Sequence, residues 1–393
     1  MGAPNHSSRK HAMLSASKAD RWINCTPSAR LEEKVEETGL PSEYAEEGTL
    51  AHEMAECYLR ARFRITPVDV TSAELRKLKK SDIYTEAMDE PVMAYCQYVT
   101  DQYTEALRKT KDALVLLEER LDFSAWVEQG FGTGDACIIA DGVMEIIDLK
   151  FGTGVPVFAE NNAQLMLYAL GALSKFEMVY DINMVKLTIV QPRQDRISSW
   201  EITPEDLYKW GEEVVKPKAA LAYSGDGELQ VGHWCRWCRV KALCRKMADH
   251  NLDLAKHEFK EPELLTTEEL AQIFEQAPML QDWVNAVSEH LLSKAISGEK
   301  VPGYKVVEGR SMRKWTDENA VQEVLTACDY TPDQFQVVKL AGIPAIEKLL
   351  KKDFDSLVGD LVIKAPGKPT LVPESDKRPA MGIEQAKLDF SNN

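Results

Sequence analysis

Two carboxylates and a lysine lie on adjoining apolar stretches between Gly130 and Tyr168. Asp135 belongs to the first stretch, Asp148 and Lys150 belong to the second, and an Asp-Gly pair typical of hairpin turns joins the two. Because side chains two positions apart point to the same side of a strand, Asp148 and Lys150 share a face. Carboxylate oxygens suit Mg²⁺ or Mn²⁺, and a neighbouring lysine can orient or deprotonate a water molecule. The pattern indicates a site for a metal and a phosphate, with a solvated surface hairpin as the alternative.

A second group of reactive side chains is the C-x2-C-x5-C run formed by Cys235, Cys238 and Cys244. In a chain read as intracellular, three closely spaced thiols favour a metal or a cluster over disulfides. Thiolate ligands fit either iron–sulfur or zinc. The fourth ligand is open: Cys25 follows a short helix and would be an exposed loop thiol without a partner, and His233 is the other candidate. Three unrelated cysteines are the remaining alternative.

The elements that must position these residues follow from hydrophobic periodicity and turn signals. Strands are predicted at 115–123, 132–140, 143–150, 184–191 and 196–202, and helices at about 47–62, 84–111, 162–175 and 204–222. Two further helices are predicted at about 266–275 and 280–296, separated by Pro278. Three strands, then a helix, then strands again predict an α/β mixed sheet with helices on its faces. Cys57 and Cys96 are predicted to be buried as small apolar residues.

Four short motifs carry a family resemblance. They are Gly48-x3-His52-x3-Glu56, Gly134-Asp135, Asp148-Leu149-Lys150 and Gln164-x3-Tyr168. In this order they resemble the motifs of RecB-like nucleases of the PD-(D/E)XK superfamily. The resemblance covers about residues 15–250 and implies a restriction-endonuclease-like fold, in which a mixed sheet is flanked by helices.

The resemblance also implies a role for each matching residue. The implied ligands of Mg²⁺ or Mn²⁺ are His52, Asp135, Asp148 and the backbone carbonyl of Leu149. Lys150 would position and activate the attacking water, and Gln164 and Tyr168 would hold the DNA backbone or support Lys150. Glu56, one helical turn after His52, would hold a metal ligand in position without binding the metal itself. The implied activity is metal-dependent hydrolysis of DNA.

The cysteines extend the resemblance to AddB-type and CRISPR-adaptation relatives of the same family. These proteins carry one cysteine before the nuclease domain and C-x2-C-x5-C after it, and the four hold a [4Fe-4S] cluster. The implied ligands here are Cys25, Cys235, Cys238 and Cys244. Such a cluster would be structural, because it would close a very long loop of the chain. Zinc is the alternative occupant.

Charge and composition restrict how the chain can meet DNA. The 393 residues carry a formal net charge of −16, which argues against a protein that coats nucleic acid. Any DNA contact must then be local, and the candidate residues are Arg236, Arg239, Arg310, Arg313 and Lys314. No Walker A motif is present, so we do not expect a helicase. The absence of a long apolar run predicts a soluble protein without membrane contact.

The domain organisation and biological role are predicted as follows. Residues 1–258 would form the nuclease domain, 259–364 a mainly helical accessory domain, and 365–393 a loosely ordered tail. The whole pattern resembles stand-alone nucleases of bacteriophages and prophages. We therefore expect an exonuclease of phage DNA replication or recombination, with proteins of that process as partners, in the cytoplasm of a bacterial host. The alternative function is a non-catalytic DNA-binding or assembly protein on a nuclease scaffold.

Overall fold

The computed structural model of the chain describes residues 12–35, 43–257 and 267–304, together with positions 322, 351 and 354. The chain divides into two compact units, Met1–Val307 and Glu308–Asn393. Nearly all described residues belong to the first unit. The predicted boundaries at 258 and 364 stay predictions.

A single sheet organises the first unit. Its strands are β1 (Leu114–Asp122), β2 (Phe131–Ala140), β3 (Gly142–Leu149), β4 (Ile182–Gln191) and β5 (Arg196–Ile202), and they lie side by side in chain order. Neighbouring strands are antiparallel except for β3 and β4, which are parallel. The mixed sheet is therefore confirmed, and each strand begins and ends within two residues of its predicted bounds.

The described residues form ten α-helices. They are α1 (Ala19–Asn24), α2 (Ser28–Glu33), α3 (Glu43–Arg62), α4 (Val68–Leu78), α5 (Asp89–Lys109), α6 (Ala163–Phe176), α7 (Pro204–Trp210), α8 (Lys216–Ser224), α9 (Arg245–His257) and α10 (Thr267–Ile296). A π-helical turn at Gly211–Val215 joins α7 to α8. The flanking helices, and α10 in the part of the chain after residue 258 that the structure describes, agree with the predicted fold class.

Two hydrophobic clusters cover the two faces of the sheet. On one face α6 packs with α1, α7 and α8, and nine consecutive residues of α6 from Leu165 to Leu173 are buried. On the other face α3 and α5 pack together over the sheet. Cys57 and Cys96 are buried in these helices, as predicted. The site motifs therefore lie on elements that large apolar contacts hold in place.

Several elements differ from the sequence prediction. Helices α2, α4 and α9 were not predicted, and α5 begins at Asp89 rather than near residue 84, after a 3₁₀ turn at Glu86–Met88. The two helices predicted around Pro278 form one helix, α10. A proline removes one backbone donor, which a long helix can lose without ending. Among the described helices, none combines the length and apolar character needed to cross a bilayer.

Candidate functional site

A row of three carboxylates crosses the sheet where β2 and β3 separate. The β2–β3 ladder ends at the pair Ala136–Ile147, and Asp135 and Asp148 are the next two residues in register. In the β1–β2 ladder, Glu118 and Asp135 lie between the pairs Leu117–Ala136 and Glu119–Gly134. The acidic side chains of three neighbouring strands thus meet at one end of the sheet.

Asp135 replaces the missing ladder contact with its own side chain. The backbone N–H of Leu149 donates to Asp135 Oδ2 over 2.7 Å, which ties the end of β3 to β2. The other oxygen, Oδ1, lies 3.3 Å from His52 Nδ1 on α3. Asp135 is therefore held from both sides, and α3 brings His52 to the carboxylate row as the motif predicted.

Glu118 completes a possible metal-binding group that the sequence did not reveal. One ligand atom each of His52, Glu118 and Asp135 lie within 4.8 Å of one another. Glu118 has a left-handed backbone with φ of 48°, an uncommon conformation for a residue other than glycine. An imidazole and two carboxylates form a donor set that suits a divalent cation such as Mn²⁺. The sequence signal available was a pair of adjacent glutamates that interrupts an apolar strand.

Asp148, Lys150, Gln164 and Tyr168 form a second, connected network. Lys150 Nζ lies 2.8 Å from Asp148 Oδ2 and donates to Gln164 Oε1 over 2.9 Å. Gln164 Nε2 donates to Asp148 Oδ1 over 3.0 Å and to the Tyr168 hydroxyl over 3.2 Å. The amide of Gln164 therefore fixes the D-x-K motif to α6. The structure brings these four predicted residues together.

A glycine makes room for this network. The ring of Tyr168 lies so close to Gly132 that a Cβ there would come within 2.5 Å of Tyr168 Cε1. Any larger residue would have to displace the tyrosine, because a contact that short is not tolerated. The glycine-rich stretch before Asp135 thus serves close packing of α6 on β2.

Burial and neighbouring charges shift the pKa values of the three carboxyl groups. Burial raises the pKa of Asp148, a rise that Lys150 opposes and Asp135 increases. Burial also acts to raise the pKa of Asp135, but the adjacent His52 charge outweighs it and the pKa is lowered. Burial likewise raises the pKa of Glu118 to about 7, with a further rise from the Asp135 charge. A divalent cation would relieve this crowding of negative charge.

The neighbouring carboxylates raise the pKa values of the two basic groups of the site. Burial lowers the pKa of His52, but the charge and hydrogen bond of Asp135 outweigh it and raise the pKa to about 9. The pKa of Lys150 is raised as well, because the Asp148 charge outweighs the effect of burial. Both groups therefore carry a proton at neutral pH before any metal binds.

Three further residues near the row are Glu56, Tyr95 and Leu149. Glu56, predicted to support the ligands, lies with Oε1 2.7 Å from Arg60 Nε on the same helix. The hydroxyl of Tyr95 on α5 is buried without a hydrogen-bond partner, and burial followed by the Asp135 and Asp148 charges raises its pKa well above the usual value. The side chain of Leu149, whose carbonyl was an implied ligand, is buried in the core.

The four predicted cysteines line one cavity. Cys25, Cys235, Cys238 and Cys244 surround a small cavity of about 20 Å³, together with Arg21, Ser28 and Trp234. Cys25 was expected to be exposed unless it had a partner. It is buried among the other three cysteines. Burial raises the pKa values of Cys25, Cys235 and Cys238. His233, the alternative ligand, is exposed and pairs with Asp20 over 2.9 Å.

A buried ion pair joins the two chain segments that carry these cysteines. Glu32 Oε2 accepts from Arg21 Nη2 over 2.8 Å, and Arg21 Nη1 donates to the carbonyl oxygen of Trp237 over 2.9 Å. Glu32 Oε1 accepts from the backbone N–H of Arg239 over 2.9 Å. Both Arg21 and Glu32 are buried. Residues more than 200 positions apart are thus fastened together beside the cavity.

The predicted DNA-contacting residues fall into two groups. Arg239 donates from Nη2 to the backbone carbonyl of Glu32 over 3.2 Å, and Arg236 lies over the exposed ring of Trp237 with 5.5 Å from Cζ to the ring centroid. Arg310, Arg313 and Lys314 lie outside the described residues. The structural surroundings of Arg239 favour a role in the fold.

The sequence comparison now identifies the family. The family described as Protein of unknown function (DUF2800) matches residues 11–379. The chain belongs to the DUF2800 family. The DUF2800 match includes the carboxylate row, the D-x-K network and all four cysteines of the cavity.

Two solved structures resemble this DUF2800 protein distantly. The crystal structure of SSO0001 has 15% identity, covers 62% of this chain and 91% of that one, and gives a TM-score of 0.27. The crystal structure of a protein from Eubacterium rectale named "Putative exonuclease" has 12% identity, covers 68% of this chain and 95% of that one, and gives a TM-score of 0.33. The geometry of the site is therefore the basis for its functional interpretation.

Proposed function

We propose that this protein is a metal-dependent DNA nuclease. The observation that carries the proposal is the row of Glu118, Asp135 and Asp148, which meets His52 from one side and Lys150 from the other. Carboxylates and an imidazole around one point suit a divalent cation, and a lysine at the same point suits a phosphate. This combination is the chemistry that phosphodiester hydrolysis requires.

The residues present fit a divalent metal. His52, Glu118 and Asp135 offer three donors within a small space, and the buried Asp148 beside them is paired with Lys150 over 2.8 Å. Several buried carboxylates in one place are costly unless cations balance their charge. The imidazole favours Mn²⁺ over the harder Mg²⁺. A bound ion would polarise the scissile phosphate and stabilise the charge that develops on it.

The other residues of the site would position the reactants. The ammonium of Lys150 would orient the attacking water and neutralise phosphate charge, because it stands beside Asp148 and is fixed by Gln164. Gln164, on α6, would hold Lys150 and Asp148 in position through its hydrogen bonds to both side chains. Tyr168 would hold the amide of Gln164 in the required orientation. The resemblance to RecB-like nucleases supports the same roles, and the backbone carbonyl of Leu149 stays a predicted further ligand.

Cleavage of linear DNA tests the proposal. Purified protein with Mn²⁺ should degrade DNA, the Asp148→Asn variant should not, and Asp112→Asn, which changes an exposed aspartate outside the site, should cleave like the parent. Full cleavage by Asp148→Asn would contradict the proposal. Binding of DNA without cleavage by the parent would favour the non-catalytic alternative. The product lengths would test the further prediction of exonuclease action.

We also propose that Cys25, Cys235, Cys238 and Cys244 hold a [4Fe-4S] cluster. All four thiols line one cavity, and a buried ion pair beside it joins the two chain segments that carry them. The hydroxyl of Ser28 lines the same cavity, buried and without a partner, so it could donate to a bound sulfide. The resemblance of the C-x2-C-x5-C pattern and its upstream cysteine to iron–sulfur relatives supports a cluster over a single zinc.

Metal analysis tests the cluster. Protein purified without oxygen should be brown and contain about four irons per chain. Cys25→Ser should remove the colour, whereas Cys57→Ser, which changes a buried cysteine outside the cavity, should keep it. Colourless protein with one zinc would contradict the iron–sulfur proposal, and folded protein without metal would contradict the four-ligand site. A role in phage replication or recombination and a cytoplasmic location stay predictions from the sequence.

A further inference from the structure

The loop between β3 and α6 presents an aromatic ring to solvent. Phe158 is 55% exposed. The backbone around it is nevertheless fixed, because the side-chain amide of Gln191 accepts from Val157 N over 2.8 Å and donates to Val155 O over 2.9 Å. On the other side, Ala159 N donates to Ser198 Oγ over 3.0 Å. The ring is therefore held in place while one of its surfaces stays accessible.

A guanidinium group lies against this ring. Arg196 Cζ is 5.2 Å from the centroid of Phe158, within the range of a cation–π contact. No ion pair among the described residues engages Arg196. The pair thus combines an accessible π surface with an uncompensated positive charge. In a chain with a net charge of −16, such a local combination is selective for an anionic ligand that also carries a ring.

The pair lies at the same end of the sheet as the candidate active site. Leu149 is paired with Val190 across β3 and β4, and the next residue of β4, Gln191, is paired with Arg196 on β5. Two strand spacings, about 10 Å, separate Arg196 from the D-x-K motif. The carbonyl of Phe158 accepts from the N-cap residue of α6, two positions before Gln164. A nucleotide at Lys150 could therefore have its neighbour at Phe158.

The pair also lies on the same face of the sheet as the network around Gln164. Trp200 and Ile202, which share a face of β5 with Arg196, pack against the cluster that includes α6. Met144 and Ile146, which share a face of β3 with Asp148, belong to the same cluster. A strand of DNA could thus pass from one group to the other without crossing the sheet.

We propose that Phe158 and Arg196 form a stacking platform for a base of single-stranded DNA next to the scissile phosphate. The ring of Phe158 stacks on the base, and Arg196 supports the ring and attracts the adjoining phosphate. Stacking of this kind accepts every base, because every base has a π surface. The proposal rests on the nuclease function above and adds that the cleaved strand is unpaired where it leaves the site.

Binding of oligonucleotides by the full chain tests the platform without requiring cleavage. With Ca²⁺ in place of Mn²⁺, fluorescence polarisation should give an affinity for labelled oligo(dT) that falls about ten-fold in Phe158→Ala and is kept in Phe158→Trp. Phe274→Ala is the matched control, because Phe274 is 60% exposed on α10, outside the site. It should bind like the parent. A blunt duplex should bind equally well to parent and Phe158→Ala.

A fluorescent base distinguishes stacking from a change in fold. The emission of 2-aminopurine in a single strand should be quenched by the parent and by Phe158→Trp, and recovered in Phe158→Ala. The platform alone would be overturned if Phe158→Ala quenched 2-aminopurine and bound oligo(dT) as well as the parent does, while the parent still cleaved DNA. Equal weakening of single strand and duplex would identify a duplex contact and also overturn it. A parent that neither binds nor cleaves DNA would overturn the nuclease function as well.

Discussion

Replacing Glu118 by glutamine should stabilise the metal-free protein while it weakens binding of Mn²⁺. The side chain is partly buried beside Asp135, and burial followed by that charge raises its pKa from 4.5 to about 7. A carboxyl with a raised pKa costs folding free energy when it ionises. Glutamine has almost the same shape and no charge, so it removes this cost together with a donor to the metal.

The size of the effect follows from the pKa difference. One pKa unit corresponds to about 1.4 kcal/mol, so the gap between 4.5 and about 7 sets an upper bound of about 3 kcal/mol. Glu118 keeps some contact with solvent, and screening should reduce the gain to about 1–2 kcal/mol. Because the folded state binds the proton more tightly, the cost is absent below pH 4.5, grows up to about pH 7 and is constant above it.

Urea unfolding in EDTA measures the stability, and calorimetry with Mn²⁺ measures the binding. Glu118→Gln should match the parent near pH 4.5 and exceed its unfolding free energy at pH 8, while its Mn²⁺ affinity falls at least about ten-fold. Glu119→Gln is the control, because the adjacent carboxylate pairs with Lys175 instead. A Glu118→Gln variant that is less stable at pH 8, or that binds Mn²⁺ like the parent, would refute the reasoning.

Three further outcomes are expected. The Mn²⁺ affinity of the parent should rise up to about ten-fold per pH unit between pH 7 and 9, because His52 with a pKa of about 9 must lose its proton to bind metal; calorimetry on His52→Asn should show no such slope. Gln164→Leu should lower kcat about 10- to 100-fold, since the amide positions the lysine and the aspartate of the D-x-K motif; steady-state cleavage with less than a two-fold loss would contradict this role. Glu32→Gln should cost about 3–5 kcal/mol in urea unfolding, because it leaves Arg21 buried without its counter-charge, and a loss below about 1 kcal/mol would argue against a buried pair.

Local patterns were sufficient to predict the strands and the D-x-K network. Alternating apolar residues fix which face of β2 and β3 is buried, and the Asp-Gly turn fixes their register, with Gly142 in the left-handed region at φ of 88°. Asp148 and Lys150 share a face for the same reason. Gln164 and Tyr168 are one helical turn apart on α6 and so meet these residues together.

Glu118 could not be predicted because its position depends on a break in that alternation. Val115 and Leu117 pack on the side of α3 and α5, whereas Leu121 packs on the side of α6. The alternation therefore slips by one residue at Glu118, where φ is 48°. Strict alternation would send Glu118 to the face opposite Leu117, away from His52 on α3. Only the folded backbone reveals that it joins the carboxylate row.

Local sequence patterns could not predict the burial of Cys25 either, since its neighbours come from a segment about 200 residues later. This junction between the Cys25 segment and the segment with the other three cysteines also affects the active site. The segment that leads to Cys25 packs Ala16 and Trp22 into the cluster that contains Tyr168, whereas His52, Glu118 and Asp135 are positioned by α3, β1 and β2. The cysteine cavity and the D-x-K network therefore share α6 as their support, whereas the donors His52, Glu118 and Asp135 lie on α3, β1 and β2. Loss of the junction should disturb the placement of Lys150 and Asp148 through α6 before it disturbs these three donors, because the donors lie on other elements.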